Sequence, residues 1–208
     1  VSSPDEHLHN DTLTARLRVF TLPLVDGTAH ALMRLGITPD ALTWAGLALA
    51  ILAAYFAAQG AWMRAGVVYL VGGPLDALDG ALARAIDRPS RFGAVLDSTL
   101  DRYGEGALLS GIGYYFARQG RPTEVLLVCV ALLGSLMVSY LRARSESVGI
   151  DNKVGLLTRL ERYVIMLAGL FAARPDLALW PLAVLSHFTV IQRLWCVYRV
   201  AHNDRERR

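Results

Sequence analysis

The sequence predicts an all-α integral membrane protein: a bundle of six transmembrane helices preceded by an N-terminal amphipathic interfacial helix. Three observations predict it. Hydrophobic residues make up 54% of the 208 and charged residues 19%, with a mean hydropathy of +0.37, which is more apolar than an ordinary soluble domain. Long stretches without any charge recur along the chain. The Lys and Arg residues, finally, fall almost wholly in alternate loops. This composition excludes intrinsic disorder. The two cysteines, Cys129 and Cys196, make neither a disulfide framework nor a thiolate metal site.

Residues 1–37 read as a tail and an interfacial helix. Positions 1–10 are polar; Asp11 or Thr12 is placed to cap a helix in which Leu13, Leu17 and Phe20 share a face away from Arg16 and Arg18. Pro23 breaks or kinks it, so residues 12–35 are expected to lie along the membrane surface. No apolar h-region or small-residue cleavage site is present, so no signal peptide is expected; Val1 in place of Met points to a trimmed start. A turn at Gly36-Ile-Thr-Pro39-Asp40 follows, and Thr38, Asp40 and Thr43 are candidates to cap the first span.

Residues 38–208 form the membrane domain. Residues 41–63 carry no charge over 23 positions, enough for a helix crossing about 30 Å of hydrocarbon. Residues 125–141 and 177–192 are uncharged as well. Three weaker spans, about 64–86, 91–117 and 155–173, carry charge mostly toward one end. With the N-terminus inside, fifteen of the 21 Lys and Arg fall on the cytoplasmic side. Only Arg64, Arg118, Arg121 and Arg174 fall opposite, and Arg102 and Arg193 lie within helices. That is the positive-inside bias. It predicts a multi-pass protein of the cell membrane with both termini cytoplasmic. The net charge of +3 suits anionic lipid and phosphate, and the absence of a nucleic-acid fold motif argues against nucleic acid.

The chemistry is concentrated in two weaker spans. Asp76 and Asp79 are spaced i, i+3, and Asp97 and Asp101 i, i+4, so each pair projects from one helical face. Carboxylates within membrane helices are costly and usually functional. Asp87-Arg88-Pro89-Ser90 marks the turn between the helices, with Ser90 capping the second. Counted from that turn, both pairs lie about 13–19 Å along their helices at 1.5 Å per residue. Antiparallel neighbours would bring all four together. Four such anions repel strongly in a low-dielectric site, and oxygen-only ligation calls for Mg²⁺, Mn²⁺ or Ca²⁺, up to two ions. Gly80, Ala83, Gly93 and Ala94 leave room for a close approach. Ion pairing to Arg84, Arg91 and Arg102 would explain neither the regular spacing nor the glycines.

At these residues the chain resembles the CDP-alcohol phosphotransferase family, whose signature is D-x2-D-G-x2-A-R-x8-G-x3-D-x3-D. Asp76, Asp79, Gly80, Ala83, Arg84, Gly93, Asp97 and Asp101 fill every fixed position over 26 residues. The resemblance implies attack of an alcohol on the β-phosphate of a CDP-linked lipid, here CDP-diacylglycerol, with release of CMP. It implies that Asp76, Asp79, Asp97 and Asp101 hold two divalent cations, Mg²⁺ or Mn²⁺, and that Asp101 is also the general base. Thr43, Gly80, Ala83, Arg84 and Gly93, with Asp79, would line the CDP-lipid site. Asp40 stands where the family's P-N-x-x-T element has Asn. A homodimer is a further expectation of the family.

The second half of the chain resembles the inositol-phosphate branch. Ser139-Tyr140-Leu-Arg142-Ala-Arg144-Ser-Glu146 is followed by Gly149, Gly155, Arg159, Glu161 and Arg162, and Thr189-Val-Ile-Gln192-Arg193 is like that branch's final helix. Thr158-Arg159-Leu-Glu161-Arg162 departs from the branch's E-R-x-E-R by lacking the first Glu, and Arg142 stands where Lys is common. An acceptor that already bears phosphate needs a cationic pocket, and guanidinium suits bidentate phosphate recognition. Arg142 and Arg193 are the leading candidates; Arg144, Arg159 and Arg162 come next, with Glu146 and Glu161 bracing them. The expected reaction is phosphatidyl transfer to inositol phosphate, with glycerol 3-phosphate or another alcohol as the alternative acceptor. A cation transporter is the rival of another class, but it would place acids along a whole transmembrane route. His187 and the methionines are expected to pack, and the tryptophans to mark the interfaces.

Overall fold

A computed structural model describes residues 37–85, 90–152 and 154–206, with the backbone alone at 74, 76–85 and 203–206. Among the described residues there are six helices and no strand. They are α1 (Pro39–Ala58), α2 (Trp62–Ala85), α3 (Arg91–Arg118), α4 (Pro122–Ser147), α5 (Arg159–Phe171) and α6 (Pro175–Glu206). The expected interfacial helix at 12–35 lies outside the described residues, as do Asp87, Arg88 and Pro89 of the α2–α3 turn.

Among the described residues, three helices are long and apolar enough to cross a membrane: α1, α4 and α6 over Pro175–His202. They fall on the three uncharged runs of the sequence, except that α1 stops at Ala58, short of the expected residue 63, where Gly60 at φ +75° turns the chain. The helices α2 and α3 have 24 and 28 residues, so length alone does not keep them from spanning, but their ionisable residues lower the hydropathy. The fifth helix, α5, is shorter than the sequence reading. The expected span at 155–173 is a helix of only 13 residues from Arg159, about 20 Å long, and residues 154–158 are not helical. The reason is local: Thr158 and Glu161 form a capping box, which fixes the helix start at Arg159.

The chain divides into two compact units. One contains the start of α1, residues Gly72–Leu100 and the expected Asp76, Asp79 and Asp97. In it Thr38 caps α1, its Oγ1 accepting from the Ala41 N–H at 3.3 Å, and Pro39 takes the first helical position where no N–H is needed. Ser90 caps α3 as expected, with the Gly93 N–H donating to its Oγ at 3.2 Å.

The second unit comprises Ala48–Val71 and Asp101–Arg208 and holds the apolar core, in which Ala53, Leu108, Ile112, Phe116, Leu170 and Leu179 are buried. Small residues set the helix spacing. A Cβ on Gly111 would lie 2.3 Å from the Ala54 carbonyl oxygen, and one on Gly134 2.7 Å from the Ser186 Cβ. Such close backbones are how helices associate where lipid removes the hydrophobic drive. The helices α4 and α6 run parallel: Arg121 pairs with Asp176 at their starts, and Val138 meets Arg193 further along. His187 sits inside this contact, its Nε2 3.2 Å from the Val130 carbonyl. In α2, Pro74 has no N–H for the Leu70 carbonyl. The Tyr163 hydroxyl covers that carbonyl at 3.2 Å and Tyr69's at 3.0 Å.

Candidate active site

The acidic positions lie on two helices. Asp76, Asp79, Gly80, Ala83 and Arg84 all fall on α2, where the backbone alone is described. Asp97 and Asp101 lie one turn apart on α3. The Oδ1 of Asp97 is shielded from solvent, an environment in which a carboxylate oxygen needs a cation or a donor. Among the described residues no three His, Cys, Asp or Glu side chains form a metal-holding group; the side chains of Asp76 and Asp79 are not among those described.

The nucleotide-side expectations meet at the start of two helices. A Cβ on Gly93 would stand 3.2 Å from Asp40 Oδ1. The Pro39-Asp40-x-x-Thr43 turn and the signature glycine are therefore neighbours, and the missing side chain makes the approach possible. Thr43 turns its hydroxyl back to the Pro39 carbonyl at 3.1 Å.

In the other unit, α3 and α5 are joined by two ion pairs. Arg159 Nη2 lies 2.5 Å from Asp101 Oδ1, with side-chain exposures of 53% and 18%. One turn along, Arg162 makes a two-pronged pair with Glu105 at 2.9 and 3.2 Å, and Arg162 is buried. The structure thus brings the basic segment after α4 onto the last aspartate of the signature. Glu105 was not singled out in the sequence. Its signal is the i, i+4 continuation of Asp97 and Asp101.

The remaining basic residues take other partners. Arg142 pairs with Glu146 at 3.0 Å, both about half exposed, which is the bracing expected of that glutamate. Arg144 donates to Ser147 at 3.3 Å. Glu161 is engaged in the capping box, where it accepts from the Thr158 N–H at 2.8 Å and from its hydroxyl. Arg193 is buried, and its guanidinium donates to the carbonyls of Val154 at 2.9 Å and Val138 at 2.5 Å. Arg142, Arg162 and Glu146 lie within Coulombic reach of it. Arg121 and Arg174 pair with Glu124 and Asp176 at the other end of the unit.

The final helix holds the 148–158 segment by its backbone. Thr189 Oγ1 accepts from the Leu157 N–H at 3.1 Å, and Gln192 Oε1 from the Leu156 N–H at 3.2 Å. Asn152, fully buried, donates to the Arg193 carbonyl and to Ser145 Oγ, both at 3.1 Å. Buried backbone outside a helix needs such partners. Gly155 is required twice: its φ is +144°, and a Cβ there would lie 2.4 Å from Thr189 Cγ2.

The family profile described as CDP-alcohol phosphatidyltransferase matches residues 36–195. An archaetidylinositol phosphate synthase of Methanothermobacter thermautotrophicus is 39% identical, covering 91% of this chain and 96% of the relative. A phosphatidylinositol phosphate synthase of Cutibacterium acnes is 34% identical, covering 84% and 92%. The crystal structure of Mycobacterium tuberculosis phosphatidylinositol phosphate synthase with CDP-DAG bound superposes with a TM-score of 0.78 at 33% identity, covering 85% of this chain and 94% of that one. The same enzyme in complex with manganese and citrate also gives 0.78, at 84% and 88% coverage.

Proposed function

This chain belongs to the CDP-alcohol phosphatidyltransferase family, and we propose that it transfers a phosphatidyl group from CDP-diacylglycerol to inositol phosphate, yielding phosphatidylinositol phosphate and CMP. The observation that carries the reading is the contact of Arg159 with Asp101, which joins a guanidinium suited to a phosphorylated acceptor to the last carboxylate of the signature. Relatives named for the same reaction class, and a structural neighbour crystallised with CDP-DAG, support it.

The residues divide the work. The acceptor hydroxyl oxygen bonds to the β-phosphorus of the CDP-lipid as the bond from that phosphorus to the CMP oxygen breaks. Asp101 takes the hydroxyl proton, as a general base within hydrogen-bond reach of the nucleophile. Thr43, Gly80, Ala83, Arg84 and Gly93 shape the nucleotide site, and a side chain at Gly93 would press on Asp40. Arg142, Arg144, Arg159 and Arg193 form the basic environment of the acceptor phosphate. The donor set fits hard divalent cations: it is all carboxylate oxygen, and one of those oxygens is closed to water. Two such ions, Mg²⁺ or Mn²⁺, held by Asp76, Asp79, Asp97 and Asp101, would neutralise the diphosphate and the departing CMP. The relative solved with manganese accords with this.

We extend the same reading to the whole chain: residues 38–208 as a six-span membrane domain, residues 12–35 on the bilayer surface, both termini and the site cytoplasmic, and a homodimer as the assembly. The alternating loop charges support the orientation. Against cation transport stands the transferase identity of the relatives.

The test is CMP release from CDP-diacylglycerol with Mg²⁺ or Mn²⁺ across an acceptor panel. Inositol phosphate should drive release; silence with it and turnover with glycerol 3-phosphate would replace the acceptor and keep the chemistry.

A further inference from the structure

Two pairs join α5 to α3, and they are unequal. Arg162 and Glu105 are 5% and 24% exposed and doubly bonded, and Arg162 also reaches the Leu157 carbonyl at 3.5 Å. Arg159 is 53% exposed. Releasing the buried Arg162 would strand its charge, whereas the exposed Arg159 can turn to water at little cost and leave Asp101, 18% exposed, to another cation. Of the two, Arg159–Asp101 is the one that yields. Its backbone need not follow, because the capping box fixes the turn beneath it.

The geometry points to an exchangeable latch: a divalent cation taking Asp101 displaces Arg159, and the released guanidinium then receives the phosphate of the acceptor. This rests on the function proposed above. A guanidinium on Asp101 Oδ1 and a cation on the same carboxylate repel one another at a few ångströms. The cation and the phosphate therefore have opposite preferences for the latched state, and each promotes the other's binding by the same factor. Binding order follows: the acceptor is held well only after the cation is in place, which keeps the nucleophile out of an unready site.

The experiment measures Mn²⁺ binding by electron paramagnetic resonance and inorganic phosphate binding by calorimetry, on the full chain in nanodiscs. Wild type, Arg159→Ala, Arg159→Gln, Asp101→Asn and the double variant Asp101→Asn/Arg159→Ala are compared, each checked by melting. Mn²⁺ should tighten phosphate binding to the wild type by about tenfold, the worth of one charge-assisted hydrogen bond. Both Arg159 variants should lose most of that gain and bind Mn²⁺ more tightly. Without Mn²⁺, Arg159→Ala should hardly change phosphate affinity in the wild type but reduce it severalfold in the Asp101→Asn background. A general charge effect would reduce it equally in both, and that equality overturns the latch. Mn²⁺ binding to the wild type that is indifferent to both Arg159 variants overturns the latch alone, leaving the transferase reading intact. No Mn²⁺ binding to the wild type overturns both.

Discussion

Arg193 Nε donates to the Val154 carbonyl at 2.9 Å while another nitrogen of the same guanidinium donates to Val138 on α4. One side chain thus ties the last helix both to a neighbouring helix and to the segment that leads into α5. Replacing it by Met should strand two carbonyls and cost about 3 kcal/mol, at 1–3 kcal/mol for each buried group. Arg193→Lys keeps the charge but lacks the fork, so it should melt between the two. Thermal melting in detergent reads the difference. A raised KM for the acceptor with unchanged melting in Arg193→Lys would show that its charge serves the acceptor phosphate more than its fork serves the fold.

The Glu105–Arg162 pair offers a sharper contrast. Glu105→Ala should destabilise by about 3 kcal/mol, because it leaves a buried guanidinium uncompensated. The double replacement Glu105→Leu/Arg162→Met should recover most of that, since an apolar pair carries no desolvation cost. Failure of the double variant to recover would mean that the pair positions Arg159 and does more than satisfy itself, and acceptor KM would then rise with it.

Gly155→Ala combines a strained φ with a clash against Thr189. It should cost about 2 kcal/mol or more, the range for forcing a side chain into such a backbone region and a packed neighbour. Thr189→Ala in the same chain should relieve only the clash. Melting of the single and double variants separates the two contributions.

Asp101→Asn should reduce CMP release by about 10²–10⁴-fold, the span for loss of a general base, with helicity by circular dichroism unchanged. A variant of normal turnover would remove Asp101 from the chemistry.

The long apolar helices were legible because hydrophobic runs are local signals. Residues 125–141 and 177–192 fall within α4 and α6, and 41–58 of the expected 41–63 fall within α1; Ser90 became the cap it resembled. The start of α5 was legible too, in Thr158 and Glu161, but the apolar residues before Thr158 outweighed that short motif. What a sequence conceals is which face meets which. Nothing local distinguishes Arg159, which turns to Asp101, from Arg193, which turns to carbonyls, because both choices depend on residues dozens of positions away. Glu105 was overlooked for the same reason: its importance exists only once Arg162 lies opposite.

The side chains of Thr189 and Gln192 have one more effect. The amide protons of Leu157 and Leu156 sit in an irregular segment yet point at α6 acceptors, so their exchange with heavy water should be as slow as that of helical amides. The ordering entropy of this stretch is spent when the chain folds, before any substrate arrives. A phosphate reaching Arg159 would then have only a side chain to immobilise, and its affinity would carry little penalty for arranging the backbone beneath.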